Sequence, residues 1–533
     1  PIQLKDSMIP MENICFEGDV FNVEEQITKN DKMIQTLSVS DGSGAILCKR
    51  FEGKMNTRED LGEIKAGNHV KVYGNIQYDN FVKDYVCMPR AIEKIDKPKI
   101  VDNAEVKRVE LHCHTNMSEM DGVCDINDVI SFAFNLGYEG IAITDHAGTQ
   151  AFAKAHRKAT GLLKGSDRKF KVMYGCEMNM VDENLTIIRN GNDHTLDEEE
   201  YICFDLETTG LSCSFDHIIE FGAVKIKNQA VIDRKQLFVK PPVPIPYFIS
   251  EKTNITNDMV KDAKPFNEVI DEILEWIGED VLVAHNATFD YGFMNEELKR
   301  IGREPMKNVV VDTLDFARAI HSDRRSYRLG NIARLYRISY DEEVAHRADY
   351  DAEVLADVFL AMVRDAKKLG ANTINDLQNL QNDQAFAKMR KNHVIVMAKN
   401  QMGIRSLYQL VTISNTKSLA LFGKANGKNG EEFLSEPRIF RRVLQENRAN
   451  LVLGSACFNS EVWECAANRN DEDLAKAISF YDYIELQPLA NYSTLVQMNS
   501  VPNEERLKQI QMRIIKEAQK QHKPVVATGD VHY

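Results

Sequence analysis

Two carboxylates spaced two residues apart, Asp205 and Glu207, stand in the segment YICFDLETTGL at residues 201–211. Side chains of a strand alternate between faces, so these two acids point the same way, against the apolar residues between them. Unpaired, they would repel each other, and a divalent cation such as Mg²⁺ or Mn²⁺ suits an all-oxygen site. The segment predicts a metal site at the end of a buried strand; a solvated acidic turn is the alternative.

Three further residues have the chemistry to complete such a site. HNATFDYGFM places Asp290 just after a buried strand, at the start of a helix whose N-terminus favours anions. HRADYDAEV places His346 and Asp351 five residues apart, near one helical face. Four carboxylates and one histidine are the groups that two-metal phosphodiester hydrolysis requires, with His346 as the general base.

The motifs DxETTG, HNxxFD and HxxxxD, in this order, resemble the DEDDh family of 3′ to 5′ proofreading exonucleases over about residues 201–368. The resemblance implies an RNase H-like α/β domain with two Mg²⁺ or Mn²⁺ ions, held by Asp205, Glu207, Asp290 and Asp351. It also implies contacts with the terminal nucleotide from residues in or next to these motifs: Thr208, Thr209, Leu211, His285, Asn286 and Phe289. Three arginines either contact the phosphates of the strand or are simply solvated helix residues: Arg324, Arg325 and Arg328.

A second set of metal-ligand residues lies on both sides of this region. HCHT puts His112 and His114 on one face of a strand, and further acids, histidines and a cysteine follow other apparent strands. Nine positions match the ligand pattern of the PHP (polymerase and histidinol phosphatase) family: His112, His114, Asp121, His146, Glu177, His393, Cys457, Asp530 and His532. Imidazole, thiolate and carboxylate together suit zinc, manganese or iron.

The PHP resemblance implies a distorted, TIM-like β/α barrel that binds up to three metal ions. Two uses of these metals stay open at this stage. They either hydrolyse a phosphoester, by pyrophosphate clearance or a secondary nuclease activity, or act only as a structural staple.

Short strands separated by turns occupy residues 14–95, and five strands with Gly-rich turns fit a small closed barrel of the OB type. Such barrels bind single strands through basic and aromatic side chains. The candidates here are Lys49, Arg50, Phe51, Tyr73 and Tyr78. A barrel used for protein contacts is an equal alternative. Residues 96–106 have the composition of a linker.

From Arg108 onward strands alternate with helices, which predicts parallel α/β architecture. Because the PHP-type ligands come from both sides of the exonuclease motifs, we expect that unit to be inserted into a barrel loop. The predicted fold is therefore multidomain, with an all-β barrel followed by an interrupted β/α barrel. The predicted bounds are 1–98 for the OB barrel, 104–192 and 369–533 for the two PHP parts, and 199–368 for the exonuclease.

The overall composition is that of a soluble globular protein of several domains, with 533 residues and a net charge of −14. That charge argues against a uniformly basic DNA-binding surface but does not exclude a local groove. The ten cysteines show no CxxC pair, which indicates reduced thiols. With no apolar run of 18 residues and no signal peptide, we expect no membrane contact and a cytoplasmic location.

An OB barrel followed by a PHP unit with an inserted DEDDh exonuclease resembles the C-type alpha-subunit family of bacterial DNA polymerase III, the replicative polymerases of low-GC Gram-positive bacteria. The resemblance implies a DNA-directed DNA polymerase as parent. It implies as partners the primer-template 3′ end, single-stranded DNA, a sliding clamp and other replisome proteins. Both chain ends look cut, so we expect an internal segment, truncated before the polymerase core.

The polymerase core itself would need a further pair of carboxylates. The compact candidates are Asp349 with Asp351, already assigned to the exonuclease, and Asp471 with Asp473, in an acidic helix start. We therefore expect this segment to remove mismatched 3′-terminal nucleotides but not to synthesise DNA. Two alternatives remain: a non-catalytic module that positions DNA and aids assembly, with structural PHP metals, or an exonuclease acting on RNA 3′ ends.

Overall fold

The computed structural model describes residues 2–54, 56–98, 100–182, 185–321, 324–380, 385–426 and 430–532. The chain divides into two compact units, Pro1–Asn103 and Ala104–Tyr533. Residue 99 of the predicted linker lies outside the described residues.

The first unit is a closed five-stranded barrel, as the strand pattern predicts. Its strands are β1 (Met11–Ile27), β2 (Met33–Ser40), β3 (Ala45–Phe51), β4 (His69–Asp79) and β5 (Asp84–Ile95), paired in the order β1-β2-β3-β5-β4, with β4 returning to β1. The short helix α1 (Arg58–Gly62) follows β3 and starts with a capping box from Thr57 and Asp60. Apolar side chains that alternate along the strands fill the interior.

The predicted ligand-contacting residues of this barrel do not all reach its surface. Phe51, Tyr73 and Tyr78 are exposed. Arg50 instead points inward, where it is 7% exposed and donates a hydrogen bond to Gln35, because neighbours on a strand face opposite sides.

In the second unit, two separate segments, residues 104–182 and 390–532, build one structure that we call the ring unit. Its strands are β6 (Val109–Glu110), β7 (Gly140–Ile143), β8 (Lys171–Val181), β15 (Asn392–Ala398), β16 (Leu419–Asn426), β17 (Gly430–Phe440), β18 (Leu451–Gly454), β19 (Ile484–Leu486) and β20 (Val525–Ala527). Strands β6, β7, β8, β15 and β18 pair successively, and β19 pairs with β20. The isolated bridges Gly454–Tyr483 and Cys113–Val531 connect the ends of these two sets of strands, so that the strands form a closed ring.

Two details of the ring unit differ from the sequence expectation. Strand β6 ends at Glu110 because the Glu110 carboxylate accepts hydrogen bonds from the backbone N–H groups of Leu111 and His112, which interrupts regular pairing. Strand β15 runs antiparallel to both β8 and β18, so the sheet is mixed rather than parallel. Asn392 lies opposite Met180, so the chain leaves and re-enters the ring at adjacent points.

Helices cover the outside of the ring, and they bury the apolar faces of the strands. They are α2 (Ile126–Leu136), α3 (Phe152–Leu163), α12 (Gln401–Thr416), α13 (Arg441–Glu446), α14 (Glu461–Asn468), α15 (Asp471–Phe480), α16 (Ser493–Gln497) and α17 (Glu504–Lys520). As predicted, Asp471 and Asp473 lie in the first turn of a helix, α15.

Residues 185–380 form the inserted unit, which has one six-stranded sheet. Its strands are β9 (Ile188–Arg189), β10 (Tyr201–Thr208), β11 (Ile218–Lys227), β12 (Ala230–Phe238), β13 (Val281–Ala284) and β14 (Val310–Asp312), in the order β12-β11-β10-β13-β14-β9. Its helices are α4 (Tyr247–Thr253), α5 (Asn257–Val260), α6 (Phe266–Ile277), α7 (Ala287–Arg300), α8 (Thr313–Ile320), α9 (Leu329–Leu335), α10 (Ala348–Lys368) and α11 (Ile374–Gln378). Two apolar clusters pack on its strands, one containing α8 to α10 and the other α6 and α7.

The core of the inserted unit reaches beyond the exonuclease motifs on both sides. Leu185 and Leu196 precede its central strand, and Ile374 and Leu377 follow its longest helix, yet all four are buried in the same cluster. The segments that connect the ring unit to the exonuclease motifs are therefore packed parts of the inserted unit. No helix in the part of the chain that the structure describes is both long and apolar enough to span a bilayer.

Candidate active and metal-binding sites

A cavity of about 830 Å³ opens at the end of β10, where β13, α7 and α10 converge; we call it the acidic cavity. Asp205 and Glu207 project into it from β10. Asp290, in the first turn of α7, is 2% exposed, and Asp351, in the first turn of α10, is 7% exposed. The fold thus brings together carboxylates that are up to 146 residues apart in the chain, since 351 − 205 = 146.

Backbone groups hold two of these carboxylates in place. The N–H of Leu206 donates to Asp290 Oδ1 at 3.2 Å, and the N–H of His346 donates to Asp351 Oδ2 at 3.0 Å. Among the residues that the structure describes, the buried Asp351 Oδ1 accepts no hydrogen bond of good geometry, although the Tyr340 side chain lies close to this carboxylate. One ligand atom each from Glu207, His346 and Asp351 lies within 4.8 Å of the others. A buried acceptor without a well-placed donor, beside further ligand atoms, is the arrangement that a bound cation satisfies.

Burial and mutual repulsion disfavour the charged forms of these acids. Burial, with the neighbouring carboxylates of Asp290, Glu207 and Asp351, raises the pKa of Asp205 well above its ordinary value. Burial, with Asp351 nearby, raises the pKa of Glu207 to about 9. Burial also raises the pKa of both Asp290 and Asp351. Positive charge brought to this site, such as a bound cation, would favour the ionised forms of all four acids.

His346 lies outside α10, which differs from the predicted helical face. Its backbone is in the left-handed region, at φ 66°, two residues before the helix starts. Because its own N–H is bonded to Asp351, the imidazole is held beside that carboxylate and lines the cavity. Burial and the nearby Lys252 lower the pKa of His346, so its imidazole is neutral at physiological pH.

The predicted nucleotide contacts fall into two groups. Thr208, Leu211, His285 and Phe289 line the acidic cavity. Thr209 and Asn286 do not line it. Thr209 Oγ1 accepts a hydrogen bond from the backbone of His217. Asn286 takes a left-handed conformation, at φ 74°, at the N-cap of α7, where it turns the chain from β13 into the helix.

The three predicted arginines lie between α8 and α9 rather than within a helix. Arg328 lines the acidic cavity. Arg325 lines a neighbouring cavity instead, and Arg324 lines neither of the two.

One residue that the motifs do not include, Glu220, supports the acidic cavity. It lies opposite Glu207 in the β10–β11 register and is fully buried. Its carboxylate accepts hydrogen bonds from the Arg347 guanidinium, at 2.8 and 3.2 Å, and from the Ala348 N–H at 3.1 Å. It therefore fixes the N-terminus of α10, which carries Asp351. A lone acid inside the apolar strand HIIEFGAVKI is the sequence signal that could have identified it.

A second cavity, of about 590 Å³, lies in the ring unit, and we call it the histidine cavity. The structure brings all nine predicted PHP-type residues together in and beneath it. Three overlapping groups have ligand atoms within 4.8 Å of one another: His114 with His146 and His532, His112 with His114 and Glu177, and Glu177 with His393 and Cys457.

Glu177 is the centre of this set. It is 2% exposed, and its oxygens lie 2.6 Å from His393 Nδ1, 3.1 Å from His146 Nδ1 and 3.3 Å from His114 Nε2. Although burial opposes it, the imidazoles of His393 and His112 hold the pKa of Glu177 well below its ordinary range. The remaining acids lie at the rim or below, with Asp121 Oδ2 2.8 Å from His146 Nε2 and Asp530 Oδ1 3.0 Å from His112 Nε2.

Residues behind the ligands orient two of the imidazoles. His112 Nδ1 is 2.6 Å from Glu485 Oε1, and His114 Nδ1 is 2.8 Å from the Ser118 hydroxyl, which donates to Asp145. Such partners leave the other ring nitrogen of each histidine free to bind a metal. Glu485 and Ser118 have no motif spacing that marks them, so sequence reasoning did not find them.

The comparisons with known proteins concern both the inserted unit and the whole chain. Residues 202–359 match the family model described as Exonuclease. The DNA polymerase III PolC-type of Bacillus subtilis is 37% identical over 537 residues, a match that covers 100% of this chain and 36% of the relative. The corresponding protein of Lacticaseibacillus paracasei is 35% identical, covering 98% of this chain and 35% of the relative. The chain thus spans about a third of the length of these curated relatives.

Among solved structures, one described as Exonuclease X in complex with 5′ overhanging duplex DNA is 22% identical. It covers 34% of this chain and 98% of its own, with a TM-score of 0.27.

Proposed function

From the similarity of the whole chain to part of PolC-type DNA polymerase III, we propose that it is the proofreading part of a replicative DNA polymerase, which removes mismatched nucleotides from DNA 3′ ends. The observation that carries the proposal is the acidic cavity. It is lined by Asp205, Glu207, Asp351 and His346, and Asp290 lies beside it, bonded to the backbone of the same strand, within a domain that matches the Exonuclease model.

The residues of the acidic cavity fit two Mg²⁺ or Mn²⁺ ions, because their oxygens converge, their pKa values are raised, and Asp351 Oδ1 accepts no hydrogen bond of good geometry from the described residues. When bound, such ions neutralise charge on the scissile phosphate and activate water. Asp205, Glu207, Asp290 and Asp351 are the residues that would hold them.

The protein's own side chains supply the remaining steps. Leu211 and Phe289 line the cavity together with the carboxylates and offer apolar surfaces to the terminal base and sugar. The neutral imidazole of His346 accepts a proton from the attacking water. His285, whose Nε2 donates to the carbonyl of Tyr327 at 2.8 Å, forms a fixed wall.

For the other units we propose an OB fold for the barrel and a PHP fold for the ring. The core packing favours wider bounds for the insertion, about residues 185–380, than the predicted 199–368.

The donor set of the histidine cavity suits Zn²⁺, Mn²⁺ or Fe²⁺. These metals either hydrolyse a phosphoester or only stabilise the ring unit. Metal-dependent hydrolysis assays on variants of the residues at the rim of the histidine cavity distinguish the two roles. The same proposal includes DNA synthesis by the parent polymerase, a sliding clamp and other replisome proteins as its partners, and a cytoplasmic location.

The test compares the unmodified chain with Asp205→Asn and His146→Gln, in Mg²⁺ or Mn²⁺, on a primer-template with a mismatched 3′ end. We expect mononucleotides to leave the 3′ end, and Asp205→Asn to slow their release at least about 100-fold, because metal-ion stabilisation contributes several kcal/mol. His146→Gln, at the rim of the other cavity, should leave the rate within about twofold.

Three results would contradict the proposal. If Asp205→Asn retains full activity while His146→Gln loses it, the histidine cavity is the catalyst. If a matched RNA strand is shortened faster than the DNA strand, the chain is an RNA 3′-end exonuclease. A chain that binds DNA but shortens neither strand is the non-catalytic module.

A further inference from the structure

A third cavity, of about 340 Å³, adjoins the acidic cavity, and we call it the basic cavity. The two cavities share His285 and Arg328 in their linings, so they are neighbours along one surface. Among the residues that the structure describes, four cationic side chains and no acidic ones line the basic cavity: Arg318, Arg325, Arg328 and Lys388.

The charge of this cavity is only partly neutralised by the protein. Arg318 is bound to Asp315 at 2.8 Å, and Lys388 lies over the ring of Phe422 at 4.7 Å. The guanidinium groups of Arg325 and Arg328 form no ion pair among the residues that the structure describes, and both are exposed. Of the two shared residues, only Arg328 adds charge, because burial lowers the pKa of His285 to about 4. Three of the four cations therefore have no carboxylate partner in the described parts of the chain.

The contrast between the neighbouring cavities indicates what each one binds. A chain of nucleotides whose 3′ end is in the acidic cavity must continue away from it, with one negative phosphate per nucleotide. Another cavity that adjoins the acidic one, of about 180 Å³, has a mainly apolar lining; its two cations are Lys252 and Arg506, and Arg506 pairs with Asp216. Such a lining compensates phosphate charge less than the four cations of the basic cavity do.

We propose that the basic cavity binds the backbone phosphates of the single strand immediately upstream of its 3′-terminal nucleotide. This inference rests on the proposed exonuclease function. It adds Arg318 and Lys388 to the site, and Lys388 lies beyond all the exonuclease motifs in the chain. The phosphates fix the position of the strand without reading its sequence, which suits an enzyme that must accept any mismatched end.

The test uses the full chain and the double variant Arg325→Gln/Lys388→Gln, because these two residues line only the basic cavity. Two substrates are compared: an oligothymidylate strand, and the 4-nitrophenyl ester of thymidine 5′-monophosphate, which has no upstream phosphate. For the strand we expect KM to rise about tenfold and the slope of log KM against log salt to fall by about 1.4, since each single-strand phosphate contact contributes about 0.7. Hydrolysis of the ester should stay within twofold.

The matched control is Arg303→Gln. Arg303 is exposed, pairs with Asp271, and lines neither the acidic cavity, the basic cavity nor the mainly apolar cavity. Its strand KM and salt slope should equal those of the unmodified chain. An unchanged strand KM and salt slope in the double variant, with both substrates still hydrolysed, would overturn the strand path and leave the exonuclease function intact. A chain that hydrolyses neither substrate would overturn both.

Discussion

At the scale of single residues, three carboxyl groups line the acidic cavity and that of Asp290 lies beside them; burial first, and then repulsion between acids, raises their pKa values. The β10 strand fixes Asp205 and Glu207 two residues apart on one face, and the first turns of two helices add Asp290 and Asp351. None of the four can move away, because each is attached to a packed element. Their protonation therefore depends on what cations are present, which makes stability and metal binding interdependent.

Stability of the metal-free chain should fall as pH rises. Glu207 has a pKa of about 9 against an ordinary value of 4.5, so the folded state holds a proton that the unfolded state releases across that interval. The stabilisation is fully present below pH 4.5 and is lost as pH approaches 9. In chelator we expect the melting temperature to fall by several degrees between pH 6 and 9, measured by calorimetry.

Glu207→Gln should flatten this pH dependence, because the amide does not titrate. Added Mg²⁺ should raise the melting temperature of the unmodified chain more at pH 9 than at pH 6. An identical profile for Glu207→Gln and the unmodified chain would refute the raised pKa.

Replacement of His346 should affect catalysis rather than folding. Since the side chain is exposed and its backbone N–H makes the bond to Asp351, His346→Gln preserves that bond. We expect the single-turnover rate on DNA to fall about 100-fold or more, the usual contribution of a general base, with the melting temperature within about 1 °C. His194→Gln, an exposed histidine of the same unit, should retain full activity. A rate loss of less than threefold would exclude the general-base role.

At the scale of elements, the docking of α10 on β11 decides where Asp351 lies. Glu220 on β11 accepts the Ala348 N–H, and Gly222 on the same strand lets the helix backbone approach closely. A Cβ at Gly222 would lie 2.1 Å from the carbonyl carbon of Ala348 and 2.2 Å from the nitrogen of Asp349. Backbone atoms at that distance cannot give way locally, so only glycine fits here.

Gly222→Ala should therefore push α10 away from the sheet. We expect a loss of about 1–3 kcal/mol in the free energy of unfolding, as in other overpacked sites, and a fall in exonuclease rate as Asp351 moves. Denaturant unfolding and single-turnover kinetics measure the two effects.

The matched control is Gly292→Ala in α7, where an added Cβ would meet no atom within 4 Å. It should stabilise the chain by up to about 1 kcal/mol, because alanine favours helix. Equal effects of the two substitutions would show that close packing at Gly222 is unimportant.

At the scale of the whole second unit, the ring holds the loop that follows the catalytic strand. Phe215 lies under two guanidinium groups of α17, with the carbon of Arg506 4.3 Å and that of Arg513 5.3 Å from its ring centre. The Ser214 hydroxyl donates to the Arg469 carbonyl at 2.8 Å, and the Cys213 N–H donates to the Asn468 carbonyl. Residues 210–216 are thus held by two discontinuous parts of the chain at once.

Phe215→Ala should loosen this loop and weaken binding at the acidic cavity. Each cation–π contact contributes about 0.5–2 kcal/mol, so we expect KM for a DNA strand to rise about threefold to tenfold. The metal content of the histidine cavity, measured by mass spectrometry, should not change. Phe132→Ala on α2, where the phenyl ring is 51% exposed, is the matched control and should leave KM unchanged. An unchanged KM for Phe215→Ala would mean that the ring does not support the loop.

The sequence by itself identified the candidate residues of both sites and predicted the closed barrel. The alternation of side chains along a strand is a local property of the backbone, and it puts Asp205 and Glu207 on one face. The start of a helix after an apolar strand is also visible in the local sequence. The motif spacings also indicated that the exonuclease region interrupts a second metal-binding unit, because ligand residues occur on both sides of it. The roles of these residues remain predictions that the variants above test.

Only the tertiary structure decided which distant residues support those sites. Glu220 and Glu485 act through partners that are 127 and 373 positions away in the chain, and no spacing encodes such pairs. The antiparallel direction of β15 follows from the return of the chain beside the point where it left, and the basic cavity forms because Lys388 folds back beside α8. These features depend on how separate elements pack, whereas sequence patterns report mainly the environment of each element alone.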